Sequence, residues 1–174
     1  KTHPLKTIKT LCRNKYFILI TLAFAVIYTS LGLTGGSRIY YAKYVLGDEM
    51  LNSTMTMFNY IPTILTIMLI PVFTKRFGKI KALFVGFLFY AAGLVLEIAG
   101  PVNLPMIYTG LVLQGIGHAA LYSCLFAIVG DVVDYSEWKD GIREEGITYS
   151  VTSFGQKIGT GLGTAALGWI LAAG

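Results

Sequence analysis

Five long apolar runs, separated by short segments that hold most of the charge, set the strongest limit on the fold of this chain. The runs cover residues 16–46, 51–73, 80–99, 106–129 and 146–173. A helix needs about 20 predominantly apolar residues to cross the hydrocarbon core of a bilayer. Charged residues make up only 13% of the chain, against about 25% in soluble domains. The sequence therefore predicts an all-α fold, a polytopic membrane helix bundle with about five transmembrane helices.

Basic residues cluster at the ends of these runs. The leader Lys1–Lys15 contains five of them and no acid, and the predicted loop at 74–81 contains four. Because positively charged loops stay on the cytoplasmic side, both are predicted to be cytoplasmic, with the loop at 130–145, while Asp48 and Asn103 face outside. A net charge of +5 can indicate nucleic-acid binding, but no continuous basic patch accompanies it. The predicted partner is the lipid bilayer and not a nucleic acid.

Lys157 lies deep inside the last apolar run. If a helix starts near Gly146, Lys157 lies about 11 residues further on, or roughly 16 Å along the helix axis. That is near the middle of a hydrocarbon core about 30 Å thick. Ionisable groups at this depth are costly and usually mark an ion or substrate path. Helical spacing places Ser150 and Ser153 on the same face, so this face needs a water-filled cavity or a polar partner.

A second polar stripe lies on the fourth run, where Gln114, His118 and Tyr122 recur every fourth residue. This spacing places them on one helical face, which we interpret as a candidate cavity wall. A hydrogen-bonded interior residue is the alternative for His118. Arg38 is interpreted either as snorkelling to the outer interface or as facing the cavity, and Glu97 as an interfacial carboxylate rather than a cation ligand.

Glycines are placed where helices can bend or approach each other. Gly155, Gly159 and Gly163 form two linked G-x-x-x-G steps, which allow a partner helix to come close and are predicted to be helix packing. The first run is longer than one crossing requires, so it is expected to tilt or break. The expected place for a bend is the glycine group Gly32, Gly35 and Gly36, since glycine permits backbone distortion.

The sequence contains no Gly-rich phosphate loop, no Ser/His/Asp set and no D-x-D-x-D-G calcium spacing. We therefore predict no enzyme activity, no metal site and no cofactor. Cys12 and Cys124 have neither the spacing nor the neighbours of a metal site or a disulfide, and are interpreted as unpaired thiols.

The stretch Asp131–Lys157 resembles the region joining the tenth and eleventh helices of the glycoside–pentoside–hexuronide:cation symporters. This is the melibiose permease group of the major facilitator superfamily. The matching residues are D-x-x-D-Y-x-E-W-K at Asp131–Lys139, Arg143-x-Glu145, Tyr149–Val151, and Lys157 followed by Gly159. A weaker likeness extends over the whole chain. These symporters have twelve helices, so the chain resembles their C-terminal half, and a missing N-terminal six-helix half is the expected partner.

The resemblance implies cation-coupled symport of a sugar, glycoside or sugar acid, driven by Na⁺ or H⁺ through alternating access. It also implies a multi-pass location in a bacterial cytoplasmic membrane, with the N-terminus cytoplasmic. The residue matching Lys157 belongs to the region that serves sugar and cation in these proteins, and Ser153, Thr152 and Tyr122 match cavity-side positions. Three alternatives remain open: a non-transporting binding or scaffold module, a pore-forming channel, and a transporter of a lipid-like solute.

Acids recur every third residue at Asp131, Asp134, Glu137 and Asp140. On a helix such acids are neighbours and repel by a few tenths of a kcal/mol per pair, so cations should lie nearby. We interpret the set as a cytoplasmic gate whose ion pairs close one state of the transporter. Its predicted members are Asp131, Asp134, Glu137, Arg143, Lys75 and Arg76. A solvated acidic loop is the alternative.

Overall fold

The computed structural model describes residues 14–141 and 145–173, without the side chain of Asp140. Over these residues the chain forms α-helices and no β-strand, which confirms the all-α prediction. The helices are α1 Lys15–Tyr44, α2 Leu51–Phe77, α3 Lys79–Ala99, α4 Leu104–Asp140 and α5 Glu145–Ala173. The basic leader before Asn14 lies outside the described residues.

Four described helices, α1 to α4, are long and apolar enough to cross a membrane. The fifth, α5, has 29 residues, but serine, threonine, glycine and Lys157 dilute its apolar character. In a bilayer, the polar side chains of such a helix need water or polar groups of neighbouring helices as hydrogen-bond partners. Each predicted span corresponds to one helix, although the first predicted span runs two residues beyond the end of α1. The crossings of the bilayer at these bounds stay predictions.

The junction between α2 and α3 is much shorter than the predicted loop at 74–81. The residue between the two helices is Gly78, whose φ of 86° lies in the left-handed region that favours glycine. Its N–H donates to the carbonyl oxygen of Thr74 at 2.9 Å. Both helices therefore continue into the basic segment, and Lys75 and Arg76 belong to the last turn of α2.

Two other predicted irregularities are helical. Helix α4 continues through Asp131 to Asp140, although a loop is expected from residue 130. Helix α1 is uninterrupted at Gly32, Gly35 and Gly36. A Cβ at Gly32 would lie 2.6 Å from the carbonyl oxygen of Thr160, so that glycine permits close packing rather than a break.

The chain divides into two compact units, and α1 and α4 contribute to both. Unit 1 comprises Lys1–Ser37 and Ala127–Gly174, and unit 2 comprises Arg38–Phe126. In unit 1, α5 packs on α1 through its glycines. A Cβ at Gly155 would lie 3.2 Å from the carbonyl oxygen of Thr21, and Cβ atoms at Gly159 and Gly163 would collide with the carbonyl oxygens of Ala25 and Thr29.

Unit 2 contains a similar seam between α3 and α4. Gly93 packs against Gly110 and Gln114, and Gly86 packs against Gly117 and Ala120. The glycines on each helix are seven residues apart, or two helical turns, so they form one continuous line of close backbone approach. This seam holds the polar stripe of α4 directly against α3.

Candidate functional site

Lys157 lies near the middle of α5, about 18 Å along the helix axis from Glu145 at 1.5 Å per residue. It lines a shallow open hollow together with Ser150 and Ser153. All three side chains are exposed in the chain. Lys157 makes no ion pair with any residue that the structure describes. An ammonium group on an open polar face at this depth requires water or a partner group in a bilayer.

Thr152 lies on a different face from Lys157. Its side chain is 0% exposed, and its hydroxyl donates to the carbonyl oxygen of Thr148 at 3.1 Å. It shares the buried face with Gly155 and Gly159, which pack against α1. The burial of Thr152 and its backbone-bonded hydroxyl favour a packing role, and its assignment to the cavity wall stays a prediction.

The stripe Gln114, His118 and Tyr122 belongs to unit 2. Gln114 and His118 are buried, with 1% and 6% of their surface exposed. The His118 ring lies 4.9 Å from the ring of Tyr90 on α3 and 5.6 Å from the ring of Tyr122, measured between centroids. Tyr90 is not identified by the sequence pattern, because it follows an apolar stretch of α3 with no polar companion.

Two buried nitrogen atoms in this stripe lack hydrogen bonds. Neither Nε2 of Gln114 nor Nε2 of His118 has a partner among the described residues. Buried polar atoms are nearly always paired, and an unpaired one costs about 1–3 kcal/mol. The two atoms are therefore the groups in unit 2 that have most to gain from a hydrogen-bonding ligand or water.

Charged groups lie close to the same stripe. The carboxylate of Glu97 interacts with the side-chain amide of Gln114, although not at full hydrogen-bond geometry. The charge of Arg38 acts on both Glu97 and His118. The Glu97 side chain lies against Gly110 at the α3–α4 seam. Of the two interpretations of Arg38, the structure favours the inward one, and Glu97 is drawn into the same cluster. Sequence spacing gives no sign of this, since the residues lie on three helices.

Two further buried polar residues on α2 are already satisfied. Asn59 Nδ2 donates to the carbonyl oxygen of Leu111 at 3.1 Å, and the Thr63 hydroxyl is 3.0 Å from the carbonyl oxygen of Gly115. Their four-residue spacing inside an apolar helix is the sequence signal that identifies them. Because their donors are occupied, they fix α2 against α4 and offer little to a ligand.

The acidic segment is a helical extension of α4 within unit 1. The side chains of Asp131, Asp134 and Glu137 are exposed and lie three residues apart, on one side of the helix. The opposite side is anchored, because Asn14 Nδ2 donates to the Ser136 hydroxyl at 3.0 Å and both residues are buried. Asn14 also caps α1 by accepting from the N–H of Tyr16.

The other predicted gate residues are placed as follows. Lys75 and Arg76 are exposed at the end of α2 in unit 2, and Arg143 lies outside the described residues. The candidate cavity residues are likewise divided, with Lys157 and Ser153 in unit 1 and the α4 stripe in unit 2. Among the described residues, no group of three or more His, Cys, Asp or Glu side chains could hold a metal ion.

The five helices, four of them apolar enough to span a bilayer, define a polytopic α-helical membrane protein. The family model described as MFS/sugar transport protein matches residues 1–174. The chain therefore belongs to this family of the major facilitator superfamily, which confirms the predicted resemblance. The family consists of transporters, so the prediction that the chain is not an enzyme is also confirmed.

Several curated relatives carry transport names. The chain is 30% identical to the isoprimeverose transporter of Lactiplantibacillus pentosus, over 100% of this chain and 37% of the relative. It is 29% identical to the glucuronide carrier protein homolog of Escherichia coli strain K12, over 95% of this chain and 36% of that protein. The chain thus spans little more than a third of the length of these relatives. No solved structure matches it.

Proposed function

We propose that this chain is the C-terminal part of a symporter that moves a sugar, glycoside or sugar acid together with Na⁺ or H⁺. The proposal includes an N-terminal six-helix half as partner, a bacterial cytoplasmic membrane as location, and a cytoplasmic N-terminus. It is supported by the family of the chain and by the sugar names that several relatives carry.

The observation that carries the proposal is the exposed polar face around Lys157. Its ammonium group is at mid-helix and makes no ion pair within the described chain. A lysine that only stabilised the bundle would be paired and buried inside it. In alternating-access transporters the solute site lies near the bilayer midplane, between two helical bundles. In this proposal Lys157 is at that depth, and the exposed face that it shares with Ser150 and Ser153 is not the glycine face that packs on α1.

The polar cluster of unit 2 is a separate candidate for hydrogen bonds to a solute. Nε2 of Gln114 and Nε2 of His118 have no partner at hydrogen-bond geometry among the described residues, so each can make a hydrogen bond to a solute. Sugar hydroxyls both donate and accept, so they match amide and imidazole groups. Glu97 and Arg38 are charged neighbours of the same stripe and would orient it. In this proposal Tyr122 adds an aromatic surface for a sugar ring.

Replacing Lys157 tests the proposal directly. In a complete transporter carrying this chain, Lys157→Leu should insert normally but lose sugar accumulation driven by an imposed Na⁺ or H⁺ gradient. Arginine should restore it only in part, because its planar fork is bulkier and does not deprotonate. The measurement is radiolabelled sugar uptake into proteoliposomes at equal inserted protein.

Lys43 provides the matched control. It is an exposed lysine that pairs with Glu49 at 2.5 Å, and it belongs to unit 2, whereas Lys157 belongs to unit 1. Lys43→Leu should keep uptake within about twofold, since an exposed ion pair contributes only about 0–1 kcal/mol. Normal gradient-driven uptake by Lys157→Leu would refute the assigned role of this residue.

A further inference from the structure

Gln114 and His118 occupy neighbouring turns of the seam between α3 and α4. A Cβ added at Gly93 would lie 2.7 Å from Cγ of Gln114. The ring of Tyr90, one turn before Gly93, lies 4.9 Å from the His118 ring, measured between centroids. Both side chains are therefore held against the same stretch of α3. Because Cβ atoms four residues apart on a helix are about 5–6 Å from each other, one small molecule can reach both side chains.

The two side chains differ from the other buried polar residues of unit 2 in their hydrogen bonding. Asn59 and Thr63 both donate to carbonyl oxygens of α4. Nε2 of Gln114 and Nε2 of His118 have no hydrogen-bond partner among the described residues. Buried polar groups in proteins are nearly always paired, and internal water pairs many of those that side chains leave unpaired. These two nitrogen atoms are therefore the ones in unit 2 that need a ligand.

The charges beside the two nitrogen atoms disfavour an ion as this ligand. The Glu97 carboxylate interacts with the Gln114 amide and would repel an anion, whereas the Arg38 charge acts on His118 and would repel a cation. An amide nitrogen only donates, and an imidazole nitrogen donates or accepts according to its tautomer. The ligand is therefore neutral and able both to donate and to accept.

The burial of the two side chains limits the size of the ligand. Gln114 is 1% exposed and His118 is 6% exposed, so a molecule bonded to both nitrogen atoms is enclosed with them. We propose that one internal water molecule bridges Nε2 of Gln114 and Nε2 of His118 in the seam between α3 and α4. Internal waters make about three hydrogen bonds. The third partner in this proposal is the Glu97 carboxylate, which already interacts with the Gln114 amide.

This water belongs to the protein in the absence of any solute. A sugar hydroxyl has the same ability to donate and accept, and it would bond to these two nitrogen atoms only by displacing the water. The inference therefore does not depend on the proposed symport, and its test requires no transport.

The test is X-ray radiolytic footprinting of the whole chain in detergent. Hydroxyl radicals formed from a bound water oxidise the side chains beside it, even where bulk solvent does not reach. His118 should be oxidised several times faster than Phe24, which is 0% exposed and whose phenyl ring is intrinsically as reactive as an imidazole. No sugar is added, so oxidation of His118 identifies water and not a solute hydroxyl. Equally slow oxidation of His118 and Phe24 would contradict the proposal.

A matched pair of variants tests whether Gln114 and His118 share the water. Gln114→Leu removes one partner at similar side-chain volume, so oxidation of His118 should slow towards the rate at Phe24. Gln156→Leu makes the same substitution on α5 in unit 1 and should leave His118 oxidation unchanged. Unchanged oxidation of His118 in Gln114→Leu would overturn the bridge.

Thermal unfolding provides an independent measurement. If the two nitrogen atoms had no partner, Gln114→Leu and His118→Phe should each raise Tm, because each removes an unsatisfied buried group. With a bridging water, each variant should lower Tm by about 2–4 °C. The double variant should then lower Tm by less than the sum, since both substitutions remove the same bridge. A higher Tm in either single variant, or additive losses, would contradict the proposal.

Discussion

Adjacent residues on α5 have opposite environments, although both are small and hydroxyl-bearing. Thr152 is buried against α1 and donates its hydroxyl to its own helix, whereas Ser153 is exposed beside Lys157. A hydroxyl that is already bonded to the backbone has little to offer a solute. An exposed one on a polar face can donate and accept.

Substitution of these two residues should therefore have separate effects. Thr152→Val should lower stability by about 1 kcal/mol, the typical contribution of one hydrogen bond, and leave uptake within twofold of the parent. Ser153→Ala should leave stability unchanged and raise the KM for sugar about two- to tenfold, which corresponds to one lost hydrogen bond. Thermal unfolding and concentration-dependent uptake measure the two effects. Loss of uptake in Thr152→Val alone would support the predicted place of that residue in the cavity wall.

At the scale of helices, α5 depends on glycine to approach α1. Gly159→Ala should destabilise the protein by about 1–3 kcal/mol, because the new Cβ meets the carbonyl oxygen of Ala25 and overpacking costs that much. Gly161 lies on the same helix with nothing within 4 Å of an added Cβ. Gly161→Ala should stabilise by about 0.5–1 kcal/mol through the better helix propensity of alanine. Thermal unfolding in detergent compares the two variants. Equal changes in Tm would refute a specific glycine seam between α1 and α5.

The acidic extension of α4 is a second element with a testable role. The Asn14–Ser136 hydrogen bond joins one side of this helix to the start of α1. The acids on the other side of the helix therefore belong to an anchored segment. If they gate the cytoplasmic side, Asp131→Asn and Asp134→Asn should change the free-energy difference between the inward-facing and outward-facing states. This change should be larger than the loss in the free energy of unfolding. Conformation-dependent cysteine labelling in a complete transporter measures that balance.

Glu49 provides the control for lost negative charge, because it is exposed and lies outside the acidic segment. Glu49→Gln should leave labelling unchanged, since its pairing with Lys43 is at the surface and such pairs contribute little. If neither aspartate variant changes labelling or uptake, the acidic segment is a solvated helix end and not a gate.

At the scale of the whole molecule, the charge order predicts which ends of the helices face the cytoplasm. Single cysteines at Asp48 and at Lys79, in a background with Cys12→Ser and Cys124→Ala, should react differently with an impermeant reagent added outside intact cells. Cysteine at Asp48 should react and cysteine at Lys79 should not, until the membrane is permeabilised. Equal external labelling of both would overturn the predicted orientation.

Much of this protein is determined by local sequence. The length of the apolar runs requires helices, because backbone groups in a bilayer must be satisfied internally. The family resemblance rests on a motif that reads directly from Asp131 to Lys157. The common face of Lys157, Ser150 and Ser153 follows from the helical period alone. None of these inferences depends on which helices are neighbours.

Only the tertiary structure decides which helical face meets which neighbour. Spacing could not show that Thr152 faces α1, that Gly32 accommodates Thr160, or that Arg38 and Glu97 join the Gln114 stripe. These results depend on residues from different helices, far apart in the sequence, whose distances are set by packing. The same packing extends α4 through its acidic segment, because Val132, Val133 and Ser136 are buried in unit 1 and their burial favours the helical conformation despite the repulsion between the acids.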